Sequence, residues 1–69
     1  MFVIPKVKEI KNRREKKEYS QHQLSLKAGL SGCAIYRIES GKTTRVHTLR
    51  AKAIAEALGC QLEDVFIRK

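Results

Sequence analysis

The chain has 69 residues, with 15 Lys or Arg against seven Asp or Glu, and a net charge of +8. A chain of this length buries only about 60% of its unfolded surface, which excludes a second domain and a deep catalytic cleft beside a core. The charge calls for a polyanionic partner: nucleic acid, an anionic membrane face or an acidic protein.

Phe2, Val3 and Ile4 form a short apolar start that Pro5 ends. It is too short for a signal peptide or a membrane span, and a cytoplasmic protein without a membrane partner is expected. From Lys6 to Lys17 good helix formers run without Gly or Pro, and Val3, Val7, Ile10 and Arg14 recur at helical spacing. A first helix is expected over about 6–17. Glu9 and Arg13, four apart, suit a pair on its solvent face. Arg14 differs, because it interrupts an apolar stripe, and a buried charge requires a partner.

Ser20 is placed to cap a second helix over about 21–28, with Gln23 completing a capping box and Leu24 and Ala28 facing inward. Gly29 can stop that helix in a left-handed conformation. Leu30 then plugs the core, and Ser31 is expected to cap a third helix running from about Gly32 to Ser40, with Ala34, Ile35 and Ile38 inward. Gly41 ends it, Lys42 to Arg45 form a polar, basic loop, and Val46 returns to the core. A fourth helix is expected from His47 or Thr48 to Gly59, burying Ala51, Ile54, Ala55 and Leu58. A last short helix over about 62–67 supplies Leu62, Val65 and Phe66. With no strand signal, the expected fold is all-α: one compact five-helix domain spanning 1–69.

Three residues between the second and third helices clamp them at a steep angle, the geometry of a helix-turn-helix over about 20–40. The third helix then protrudes, presenting Gly32, Cys33, Tyr36 and Arg37, with Ser31 at its tip. The major groove of B-DNA, about 12 Å wide, accepts one such helix, and its first turn is the part that reaches base edges.

Ser20-Gln21, Leu24, Ala28-Gly29-Leu30-Ser31, Ile35, Ile38-Glu39, Gly41-Lys42, and the later "IAEALG" and "LEDVF" together resemble the lambda-repressor-like, Xre/Cro-type helix-turn-helix regulators of phages and bacteria. The resemblance covers about residues 7–66. It implies five helices, double-stranded DNA as ligand, and a homodimer on a two-fold operator. It implies that Ser20 and Gln21 face the phosphate backbone at the start of the second helix, Gln21 also bracing the third. Ser31, Gly32, Cys33 and Arg37 match base-reading positions, and Arg37 could bind guanine O6 and N7. Lys42, Thr43, Thr44 and Arg45 match a backbone-binding loop. Arg14 and Glu39 match an ion pair tying the first helix to the third. Tyr36 is either a base or phosphate contact or an exposed aromatic. Two departures stand out. Gly32 and Cys33 occupy places where relatives often carry Gln, Ser, Thr or Arg, and Glu18 and Tyr19 replace a glycine and a leucine at the end of the first helix.

No nucleophile–base–orienter set and no carboxylate pair point to catalysis, so no enzyme and no cofactor are expected. His22, His47 and the two cysteines lack zinc spacing. Cys33 and Cys60 are too few for a disulfide framework and are read as reduced thiols. The expected function is that of a sequence-specific DNA-binding transcriptional regulator, a repressor acting as a homodimer on a palindromic operator. Thr44 to Leu49 and Val65 to Lys69 are the candidate dimer seam. The alternative is an antitoxin-type module with a protein partner, which also binds its own promoter.

Overall fold

The structure, a computed structural model, describes residues 1–68. The elements in chain order are β1 (Phe2–Pro5), α1 (Val7–Lys16), α2 (Gln21–Lys27), α3 (Ala34–Glu39), β2 (Val46–His47), α4 (Thr48–Leu58), α5 (Leu62–Val65) and β3 (Phe66–Arg68). Five helices are present, but the all-α expectation is wrong. A three-stranded antiparallel sheet in the order β2-β1-β3 closes one side of the molecule.

The sheet is built from three very short segments. In β1, Phe2 is exposed while Val3 and Pro5 are buried, which is the period-two alternation of a strand. Val3 faces Val46 on one side and Arg68 on the other, and Pro5 faces Phe66. Proline has no N–H to give a ladder and sits at the last position of the strand, after which Lys6 N–H donates to the Val65 carbonyl at 2.8 Å. At the other end, the Thr48 N–H and its Oγ1 hydroxyl both donate to the Met1 carbonyl at 3.0 Å. The last helix is correspondingly shorter than expected. It stops at Val65 because Phe66 is extended, with φ −137° and ψ 152°, and begins β3.

The core draws on every layer: Val3, Ile10, Leu24, Ile35, Ile38, Ala51, Ile54, Leu58, Val65 and Phe66 are all buried. The inward positions expected for the last two helices are all buried, Ala55 and Leu62 among them, whereas of the two expected for α2 Leu24 is buried and Ala28 is half-buried. Ala34 is only half-buried.

The ends of α1 to α4 follow one hydrogen-bond scheme. At the end of α2, Gly29 has φ +73°, and the Gly29 and Leu30 N–H groups donate to the Leu26 and Ser25 carbonyls. At the end of α1 the same scheme recurs with Glu18 at φ +58°: its N–H reaches the Glu15 carbonyl at 2.9 Å, and Tyr19 N–H reaches Arg14 at 3.1 Å. The left-handed turn is thus kept although the glycine is not, at a cost of about 1 kcal/mol.

Candidate nucleic-acid interface

The orientation of α3 is set by α2 through polar side chains. Ser20 caps α2 with a reciprocal box: its Oγ accepts from Gln23 N–H at 3.0 Å, and its own N–H donates to Gln23 Oε1 at 2.8 Å. One turn on, Ser25 is wholly buried. Its hydroxyl donates to the Gln21 carbonyl at 2.8 Å and accepts from Ile35 N–H at 3.0 Å. A serine of α2 therefore satisfies a first-turn donor of α3, the role expected of Ser31. Ser31 makes a backbone turn instead, its carbonyl accepting from Ala34 N–H at 3.1 Å. As a result α3 begins at Ala34, two residues later than expected, and Gly32 and Cys33 lie in the turn before it. The sequence signal for Ser25 was a polar residue beside Leu24 on the inward side of α2.

Behind α3, Arg14 grips Glu39 in a bidentate pair. Nε donates to Oε2 at 2.8 Å and Nη2 to Oε1 at 3.0 Å. The side chains are 11% and 6% exposed. Arg14 Nη1 also donates to the Tyr19 carbonyl at 2.8 Å, and Gln21 Nε2 donates to Glu39 Oε1 at 3.0 Å. One carboxylate thus receives α1 and α2 at the end of α3. The hydrogen bond that Arg14 donates to Glu39 raises the pKa of the guanidinium, outweighing the opposing effect of burial.

The outer side of this assembly is cationic. Tyr36 and Arg37 are exposed on α3, and among the described residues Arg37 enters no ion pair. Lys42 Nζ sits 5.7 Å from the centre of the Tyr36 ring. The Arg45 guanidinium sits 4.7 Å from the centre of the Phe2 ring, and that ring meets His47 edge-on at 5.6 Å. The first strand thus supports the basic loop, a contact the sequence reading missed because it placed Phe2 outside any element. An open cleft of about 640 Å³ separates α3 from α4, and Ser31, Arg37, Thr43, Arg45 and Arg50 line it.

Arg50 is a second residue the sequence reading missed. It is a cation in the first turn of α4, where no acidic residue lies. A cation there opposes the helix dipole, which was the one unusual feature by which the sequence marked it. Of the residues expected to face DNA, Ser20, Ser31, Cys33, Tyr36, Arg37, Lys42, Thr44 and Arg45 are exposed, whereas Gln21 and Gly32 are half-buried and the Gln21 amide reaches Glu39 at the end of α3. Arg14 and Glu39 lie beneath them, and Thr43 is half-buried. Cys33 is exposed, whereas Cys60 is half-covered and burial pushes its thiol pKa up. Among the described residues no group of His, Cys, Asp or Glu is placed to hold a metal ion, and no helix is long and apolar enough to cross a membrane.

A family model described as helix-turn-helix matches residues 10–65. Among solved structures, the chain is similar to the master regulator for biofilm formation SinR, determined in complex with DNA. The TM-score is 0.78 at 24% identity, covering 84% of this chain and 95% of that one. It is also similar to the restriction-modification controller protein C.AhdI from Aeromonas hydrophila, with a TM-score of 0.76 at 22% identity, covering 84% and 86% of the two chains. At these identities the likeness shows the fold. Comparison with curated proteins finds no match.

Proposed function

The chain belongs to the helix-turn-helix family, of the lambda-repressor-like, Xre/Cro type, and from that premise we propose that it is a DNA-binding transcriptional regulator working as a single domain. One observation carries the reading. Between Ser31 and Arg50 the only acidic residue is Glu39, and Arg14 and Gln21 hold it on the inner side of α3. The exposed charges of α3, the loop and the α4 start are therefore all positive, as a phosphate-lined groove requires.

In this reading the turn at Ser31, Gly32 and Cys33 enters the major groove first, and Tyr36 and Arg37 meet base edges. Ser20 and Gln21 on one flank, and Lys42, Thr43, Thr44 and Arg45 on the other, hold the phosphates of the two strands. Arg50 joins that second flank. The protein acts as a homodimer, with recognition elements about 34 Å apart on a palindromic operator, and represses by occupying it. The sheet supports this: the two candidate seam segments, Thr44–Leu49 and Val65–Arg68, come together on either side of β1. Phe2 and Ile67 remain 46% and 47% exposed on it. Lys69 lies outside the described residues. The same exposed apolar face favours a second reading, the antitoxin-type module whose protein partner covers it.

Selection of bound duplexes from a random pool at physiological salt tests the proposal. Enrichment of a palindrome with half-sites about ten base pairs apart supports it. Retention without an enriched sequence overturns it in favour of charge alone, and co-purification of a different protein in stable stoichiometry favours the second reading. Arg45→Ala is expected to weaken binding to all duplexes and reduce the salt slope by about one, and Arg37→Ala to relax choice at one base position.

A further inference from the structure

The turn before α3 carries no side chain at residue 32, yet the space beside that glycine is filled. A Cβ added to Gly32 would lie 2.6 Å from His22 Cε1 and 2.7 Å from His22 Nδ1. Both are inside van der Waals contact, so the edge of the imidazole lies where a side chain of residue 32 would begin. Nε2 is on the far side of the ring, 3.9 Å from the same point. His22 is exposed, and among the described residues neither ring nitrogen has a hydrogen-bond partner. Nearby polar groups are already engaged: Gln21 Nε2 binds Glu39, and Ser25 Oγ binds Ile35 N–H.

We propose that His22 is a specificity-determining residue, its imidazole taking the place of the side chain that Gly32 lacks and reading a base edge beside the start of α3. The inference rests on the DNA-binding reading above. The chemistry suits it. A neutral imidazole offers one N–H donor and one ring-nitrogen acceptor, and purine edges in the major groove offer N7 with either O6 or an amino group. A glycine is required for the arrangement, because any Cβ at residue 32 would displace the ring. Sequence reading takes the base-reading side chain here from the turn; on this inference it comes from α2, ten positions earlier.

The test is the affinity of full-length protein for the selected duplex and its single-base variants. His22→Ala is expected to lose about ten-fold on the selected duplex and to bind all four bases at one position within about two-fold, leaving preferences elsewhere unchanged. Gly32→Ala is expected to flatten the same position by pushing the ring aside, and to add nothing in a His22→Ala background. His22→Gln, which keeps a donor and an acceptor, is expected to restore a preference at that position. Thermal unfolding of each variant, expected to be unchanged, separates reading from folding. Wild-type base ratios in His22→Ala, or an equal loss on every duplex, overturns the inference alone. A wild-type protein that selects no sequence instead sinks the DNA-binding reading beneath it.

Discussion

Between α2 and α3 the chain is held through polar side chains: Ser25 bonds Ile35 N–H, Gln21 bonds Glu39, and Glu39 binds Arg14 twice. In the sheet, β1 meets β2 and β3 through backbone ladders and buried apolar groups, Val3 against Val46 and Pro5 against Phe66. Hydrogen bonds are directional, and a buried charge tolerates little displacement. Apolar contact is non-directional and forgiving of small shifts. The end of α3 is thus fixed by directional side-chain bonds to a nearly buried charge, whereas the sheet combines directional backbone bonds with forgiving apolar contact beneath it.

Glu39→Ala should break the first arrangement outright. It leaves Arg14 buried without its partner, at a cost of about 3–5 kcal/mol. The whole domain has about 3–10 kcal/mol of stability, so urea unfolding followed by circular dichroism should find the variant largely unfolded or close to it. A loss below about 1 kcal/mol would mean that apolar packing orients α3 and that the polar network follows.

Val3→Ala attacks the sheet and is expected to cost about 2 kcal/mol. Hydrogen exchange sharpens the contrast. Amides of β2 and β3 should lose protection first, while Ile35 N–H, bonded to Ser25, keeps it. Simultaneous loss would make the two regions one cooperative unit.

Glu18→Gly should stabilise by about 0.5–1 kcal/mol, because it relieves the left-handed backbone at the end of α1. The melting temperature should rise by roughly 2–6 °C. No rise would mean that the turn before α2 is unstrained. The mildest probe changes no residue. A thiol reagent at mildly alkaline pH should modify exposed Cys33 well before Cys60, whose thiol is half-covered and held protonated by burial. Equal rates, read by mass spectrometry, would show the α4–α5 junction opening readily.

The two regions also differ in how far the sequence revealed them. The capping box at Ser20, the stop at Gly29 and the inward pair Ile35 and Ile38 are local patterns, readable within one helix turn, and the structure shows all three. The Arg14–Glu39 pair was reached from a charge in an apolar stripe together with a family resemblance. The strands gave no such signal. β2 has two residues and β3 three, too few to show alternation, and their pairing joins residues more than 40 positions apart. Pro5 read as a terminator when it was the last residue of a central strand. Ser31 failed as a cap because the buried Ser25 hydroxyl, reachable only once α2 and α3 are packed, supplies Ile35 first.

The placement of β1 between β2 and β3 has a consequence for biosynthesis. The centre of the sheet is made first and one of its edges last. Translation from Pro5 to Phe66 takes about 3–12 s at ordinary ribosomal rates, and residues 66–68 must also leave the exit tunnel before they can pair. Over that interval Phe2, Val3 and Ile4 form an apolar segment with an open backbone edge, the kind of segment that pairs with other chains. The first strand therefore waits seconds for its last partner, and a chaperone or a neighbouring nascent chain would meet the unfinished domain at Phe2.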